Sequence, residues 1–404
     1  MDLARLLNGN LQEIAFSDVE SFCQLKIVEG IQLDYKRELS RDLPKIFAAF
    51  TNTRGGVLIF GVEEDTATGL PAKWEGISSG EKLEERISQA AANVSPLPRF
   101  EFRRTDEQSG KVFLLVRILE GDETPYYVLN NANLYVRTGN VTKLVDLAEP
   151  DYAELLFGRK EKAAQARQQN EQRTNELFEA ALCREEKKKA FPNNCGRQAG
   201  VCRVVVQPFY PKAALCAPSD ILSWLAEFNA VGGNYRFWNP SFDFESIQYG
   251  LLAFVRDGFD NGFICEQAYA NGLLWIFYDA VNVDGEKKQK DLFLIKVVQH
   301  VITLLKGADI FYRKVRFHGN LCGELSLTNI ANTSVHRIGS DSVRDDPKTP
   351  LLGSYKWPFI LDTAILSDPN RFTDFLLILL KDVYWSLGYQ AFNPDAIRKH
   401  LNVK

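Results

Sequence analysis

Between residues 55 and 65 the chain reads GGVLIFGVEED: two glycines, an apolar run from Val57 to Val62, then Glu63, Glu64 and Asp65. A short run that is apolar on both alternating faces has to be covered from both sides. It therefore predicts a central strand in a layered α/β domain rather than an exposed hairpin. The glycines end the preceding helix and permit a tight turn into the strand. The three carboxylates fall at the strand's exit, where it meets solvent.

The flanking segments supply the layers. Ser17 and Glu20 have capping-box spacing ahead of a short helix, and Gly30 breaks it. Residues Ile31 to Glu38 read as a strand with Leu33 and Tyr35 on one face and Asp34, Lys36 and Glu38 on the other. Asp42 is placed to cap a helix whose buried stripe is Leu43, Ile46, Phe47 and Phe50. Ser78 and Glu81 repeat the capping spacing before Leu83, Ile87, Ala90 and Val94. Phe100 to Arg104 with Val112 to Leu119, and PYYVL with LYVRTG, predict two antiparallel pairs. These elements make a mixed α/β domain over residues 1–158.

At 404 residues the chain is too long for one ordinary core. From Arg159 the composition shifts to KEKAAQARQQNEQRTNELFEAALCREEKKK, read as a charged helical linker over 159–190 with solvated faces. Residues 191–404 alternate apolar strands and helices and predict an α+β domain for sensing or interaction. It holds a hairpin at Asn271-Gly272, a helix in LFLIKVVQHVITLLKG, a strand pair in FYRKVRFHGNLCGELSLTNI and a late helix in RFTDFLLILLKDVYWSLGY. No apolar run approaches the roughly 20 residues that cross a bilayer. The start lacks the features of a signal peptide, so a cytoplasmic protein beginning at Met1 is expected. Seven cysteines without regular pairing fit buried thiols in a reducing compartment better than disulfides or a zinc site at Cys195, Cys202 and Cys216.

Several chemistries can be weighed on residues alone. There is no P-loop motif, and the four histidines form no metal-ligand pair, with His300 inside a helical pattern. Gly76-Ile77-Ser78-Ser79-Gly80 matches G-x-S-x-G but is not preceded by a strand, so Ser78 is better used as a helix cap. Glu29, Asp34 and Lys36 form E-x4-D-x-K, and Glu63, Glu64 or Asp65 would join them if the two strands pair. Clustered carboxylate oxygens suit a hard divalent cation, and such a metal can activate water against a phosphodiester. The alternative is ordinary solvated charge on a strand's outer face. Arg54 and Arg137 each have a phosphate-binding and a local reading, Arg137 as a partner for a nearby carboxylate. The net charge of −4 argues against a surface coated with phosphate contacts, though not against a local basic groove.

Taken in order, Glu29, Asp34-Tyr35-Lys36, Ala49-Phe50-Thr51-Asn52-Thr53-Arg54-Gly55-Gly56, Gly61-Val62-Glu63-Glu64 and Tyr135-Val136-Arg137-Thr138-Gly139-Asn140-Val141-Thr142 resemble the Schlafen-type AlbA-like domain over residues 15–158. The resemblance implies a Schlafen core-like fold and, in nuclease-active members, three acidic metal ligands that support cleavage of tRNA and other RNA. By motif position these fall on Glu29, Asp34 and Glu64, with Mg²⁺ or Mn²⁺ as the cofactor. Asp34 replaces the usual glutamate and Glu64 the usual aspartate, opposite changes in reach. Lys36 would act at the scissile phosphate, while Arg37, Arg54, Arg137 and Lys143 would bind nucleic acid. The family's two-lobed architecture implies a homodimer here. The expected function is a metal-dependent endoribonuclease acting in stress or phage defence and gated by the C-terminal domain through an unknown trigger or protein partner. The alternative is a non-catalytic regulator binding DNA or RNA.

Overall fold

The structure, a computed structural model, describes residues 2–8, 10–80, 82–121, 123–187, 200–211, 214–230, 244–256, 263–283, 290–338 and 347–401. The chain divides into two compact units, Met1–Ala164 and Gln165–Lys404.

In the first unit, helices α1 (Leu3–Asn8) and α2 (Phe16–Gln24) lead to strand β1 (Leu33–Lys36), helix α3 (Leu43–Asn52) and strand β2 (Gly56–Phe60). Strands β3 (Val62–Asp65), β4 (Leu70–Trp74) and β5 (Ile77–Ser78) precede helix α4 (Leu83–Ala92). Then come β6 (Val94–Ser95), β7 (Phe100–Arg104), β8 (Lys111–Val112), β9 (Leu114–Ile118), β10 (Tyr127–Val128), β11 (Asn133–Thr138), β12 (Val141–Leu144) and helix α5 (Pro150–Phe157).

One sheet runs β1-β2-β9-β7 and another β12-β11-β10-β6. β1 pairs parallel with β2, while β9 pairs antiparallel with both β2 and β7. The expected central strand is therefore present, and its residues sort by parity. Leu58 and Phe60 enter a core with Phe47, Phe50, Leu83 and Ile87, whereas Val57 and Ile59 enter a second core with Phe16, Val19, Phe22 and Tyr35. A strand buried on both faces cannot alternate with polar residues, which is why this segment reads as a continuous apolar run.

Three local readings are corrected. Helix α2 begins one residue before Ser17, where Asp18 Oδ2 accepts the Ala15 amide at 3.0 Å. Asp42 does not cap α3 through its side chain and instead pairs with Lys45 at 2.7 Å. Ser78 lies in β5 opposite Lys111 rather than capping α4, whose first residue is Leu83.

The second unit is built on a seven-stranded antiparallel sheet. Its order is Phe244–Ile247, Gly250–Arg256, Phe263–Tyr269, Leu274–Asp279, Val201–Pro208, Asn320–Thr328 and Ser354–Asp362. Helices Leu294–Lys314 and Pro369–Ser386 bury their apolar stripes in the core on one face. Helix α6 (Arg159–Lys187) is not wholly solvated. Its thin stripe of Phe178, Ala181 and Leu182 is buried with Cys265 and Trp275, so this part of the charged segment belongs to the second unit's core.

The Asn271-Gly272 turn joins two strands as expected, with Gly272 at φ +89°. Phe311 and Tyr312, read as strand residues, instead end the long helix and are buried there, and the strand starts at Asn320. Of the grouped thiols, Cys202 is buried and Cys216 half-buried, while Cys195 lies outside the described residues. Among the described residues no helix is long and apolar enough to cross a membrane.

Candidate functional site

The carboxylate cluster is assembled at the open edge of the first sheet. β1 is an edge strand, so the amide of Tyr35 points away from β2 and needs a partner. Glu29 Oε1 accepts it at 2.5 Å. The Glu29 amide donates to Gly69 O at 3.0 Å, which fixes the loop carrying that carboxylate. At the far end of β2, Gly61 breaks the run and β3 begins. A register shift between Glu63 and Glu64 in its pairing with β4 turns Glu64 toward Glu29. Burial first, then the neighbouring Glu64 and Asp34, push the Glu29 carboxyl up to about 9. A proton on Glu29 therefore relieves the crowding of three acids at neutral pH.

Among the three acids at the strand exit, geometry separates the roles. Glu63 faces Arg37 at 3.8 Å. Asp65 Oδ1 accepts the amides of Ala67 and Thr68 at 2.9 and 3.1 Å, which hold its carboxyl below the usual range and close the turn to Gly69. Glu64 is the one placed beside Glu29.

Asp34 is bound from both sides by cations. Oδ1 lies 2.5 Å from Lys36 Nζ and Oδ2 lies 3.1 Å from an Arg137 terminal nitrogen, with the Asp34 and Arg137 side chains each 2% exposed. Arg137 comes from β11, donates its other terminal nitrogen to Gly30 O at 2.9 Å, and lies over the Phe50 ring at 4.8 Å. Its main-chain amide donates to Thr53 Oγ1 at 2.9 Å. Lys36 also reaches Tyr35 O at 2.9 Å and stands 4.0 Å from Glu29 Oε1.

The two readings left open for Arg137 are thus weighted by geometry toward the carboxylate partner. The segment carrying β11 is anchored by Asn52, which sequence reasoning passed over. Its amide donates to Tyr126 O and Tyr135 O at 2.7 and 3.0 Å, and its oxygen accepts the Tyr126 amide at 2.8 Å. An asparagine ending a buried helix stripe just before two glycines was the available signal.

The remaining expected contacts lie further out. Arg54 is exposed, and its carbonyl accepts Gln32 Nε2 at 3.1 Å. Gly55, next to it, sits at φ +64°, and a Cβ there would stand 2.6 Å from Ile118 O, so the glycine is required by packing alone. Arg37 has a side chain 72% exposed. Lys143 lies over Tyr152 at 4.6 Å and within 3.4 Å of Glu149.

The donor chemistry of Glu29, Asp34 and Glu64 is right for Mg²⁺ or Mn²⁺, but their placement does not fit one. Both Asp34 oxygens are held by cations and one Glu29 oxygen by an amide. Among the described residues no group of three or more His, Cys, Asp or Glu is arranged to hold a metal. What the arrangement can do is keep two buried or half-buried cations at fixed positions beside an acidic pair.

The fold and the site define an α/β domain with a buried carboxylate–cation network at a sheet edge. Residues 29–146 match the family described as Schlafen, AlbA_2. No curated protein matches the chain. Among solved structures, the DIP2311 protein from Corynebacterium diphtheriae is similar at 19% identity over 34% of this chain and 31% of that one, with a TM-score of 0.24. The N-terminal domain of a RecG-related protein from Nitrosomonas europaea is similar at 21% identity over 26% of this chain and 74% of that one, with a TM-score of 0.22. The match to DIP2311 thus spans about a third of that protein's length.

Proposed function

We propose that the first unit is a nucleic-acid-binding domain whose carboxylate network is a positioning device rather than a metal centre. The family match supports association with nucleic acid. The observation that favours holding over cutting is the pairing of Asp34 with both Lys36 and Arg137, which occupies one of the three acids a metal would need. In this reading Arg37, Arg54 and Lys143, the exposed or half-exposed cations, approach the backbone, and Arg137 acts from behind by fixing β11 against β1. The second unit then senses a ligand or partner, and a homodimer would double the binding surface.

A second reading, the metal-dependent endoribonuclease, is favoured by one observation: Glu29, Asp34 and Glu64 do come together beside Lys36. It requires Arg137 to leave Asp34 before a cation can enter.

The test incubates the purified chain with tRNA, single-stranded RNA and duplex DNA at rising salt, with Mg²⁺, Mn²⁺ or chelator. Binding that weakens with salt and never becomes cleavage is expected. Cleavage with metal that disappears in both Glu29→Ala and Glu64→Ala proteins would establish the second reading instead.

A further inference from the structure

Apart from the carboxylate network, the first unit contains a polar cavity of about 210 Å³ that, of the expected site residues, only Arg37 and Glu63 line. Its base is made by two glycines in the left-handed region, Gly61 at φ +96° and Gly76 at φ +73°. The Gly76 amide donates to Gly61 O at 3.1 Å. A Cβ on Gly61 would stand 2.6 Å from Gly76 Cα, and one on Gly76 would stand 2.9 Å from Val112 O, so the two turns touch and the hollow above them cannot be filled from below.

The walls carry charge of both signs. Lys73 of β4 and Lys111 of β8 line it, and among the described residues neither ammonium has a carboxylate partner. Arg37 is held only loosely, at 3.8 Å from Glu63. Glu38 and Glu75 also line the space, and they too make no ion pair among the described residues.

We propose that this cavity takes a phosphate monoester carried on a ribose, with the phosphate on Lys73, Lys111 and Arg37 and the sugar hydroxyls on the acceptor-only carboxylates of Glu38 and Glu75. The mixed lining favours a ligand that brings an anion and hydroxyl donors together. The volume lies below the roughly 300 Å³ at which drug-sized pockets begin, which suits a sugar phosphate and not a whole dinucleotide. Two sources carry this group: the phosphorylated end of an RNA strand, or a free ribonucleotide. The strand-end version rests on the nucleic-acid-binding reading above, and the free-nucleotide version does not.

The experiment measures binding of the full chain to short RNAs that carry a 5′-phosphate, a 3′-phosphate or neither, by fluorescence anisotropy. Adenosine 5′-monophosphate is titrated separately by calorimetry. A terminal phosphate is expected to tighten RNA binding about tenfold, the equivalent of one charge-assisted hydrogen bond. The gain should vanish in the Lys73→Glu/Lys111→Glu protein while its thermal unfolding is unchanged. If no RNA binds but the monophosphate does, and the double variant abolishes it, the cavity stands as a nucleotide site and the strand-end version falls. Equal binding of all three RNAs with no binding of the monophosphate, or a phosphate preference that survives in the double variant, overturns the proposal.

Discussion

Asp34 of the first unit and His300 and Asp279 of the second, all buried or largely so, are held in opposite ways. In the first, Lys36 and Arg137 hold the Asp34 carboxylate from two sides and Phe50 backs the guanidinium. In the second, His300 and Asp279 are shifted toward their neutral forms. Burial lowers His300 to about 4, with the Lys296 carbonyl 2.8 Å from Nδ1 opposing part of that shift, and burial raises Asp279 to about 8. His300 stacks on Tyr278 at 3.6 Å between ring centroids, an arrangement of core packing. A protein retains paired charge inside a domain at a desolvation cost that apolar packing would avoid. The paired network therefore marks where position and charge matter, and the His300 ring stacked on Tyr278 marks where packing does.

The comparison breaks first at Asp34. Replacing it with alanine leaves the guanidinium of Arg137 buried with no counter-charge, and such single removals cost about 3–5 kcal/mol. Asp34→Ala should lower the denaturant midpoint of the first unit by the largest amount of any substitution discussed here. Arg137→Ala should cost a similar amount, and the double variant less than the sum, because the two act as one unit. Additive losses in that cycle would show that the pair is not coupled and would remove the argument that Asp34 is committed to a cation.

His300 gives the second test, through pH. Its folded value lies below the ordinary 6.5, so the unfolded chain binds the extra proton between the two values. The contribution of the neutral ring is complete above about 6.5 and is lost as pH falls toward 4. A shift of this size on a fully buried group corresponds to something on the order of 3 kcal/mol. Trp74 lies in the first unit and the other five tryptophans in the second, so tryptophan fluorescence on denaturation follows mainly the second unit. Asp279, raised to about 8, contributes the opposite slope over this range, so the test is the difference between the two proteins: the midpoint of His300→Phe relative to wild type should rise as pH falls from 7 to 4.5. An unchanged slope in the variant would assign the acid sensitivity elsewhere.

Much of this contrast could be read in the sequence, and the limits have physical causes. The run from Val57 to Val62 announced a covered strand because parity on a pleated strand is a local property. The convergence of Glu29, Asp34 and Glu64 followed from motif order, and what local periodicity does not carry is the register shift between Glu63 and Glu64. The commitment of Asp34 to Arg137 spans 103 positions in the chain and depends on how β11 docks, which no spacing rule reports. The cavity of Lys73 and Lys111 was invisible for the same reason: its residues come from five separate segments. In the second unit, Phe311 and Tyr312 have strand-like composition but prolong a helix, because burial at its end overrides their propensity.

The smallest effect is expected at Glu29, five residues from the largest. Its carboxyl is pushed up to about 9, so near neutral pH the side chain is already uncharged and a glutamine changes little of its electrostatics. The glutamine oxygen can keep accepting the Tyr35 amide, now held at 2.5 Å, and its NH₂ can donate toward Glu64 where the carboxyl proton did. Glu29→Gln should therefore shift stability by less than about 1 kcal/mol at pH 7, the net scale of one neutral hydrogen bond. Glu29→Ala, which leaves the edge amide of Tyr35 without its acceptor, should cost more. Chemical denaturation of both variants beside Asp34→Ala separates the two acids. A glutamine variant as damaged as the Asp34 one would mean that Glu29 is charged in the folded protein, held so by Lys36 at 4.0 Å, and that two of the three acids stand ready as ligands.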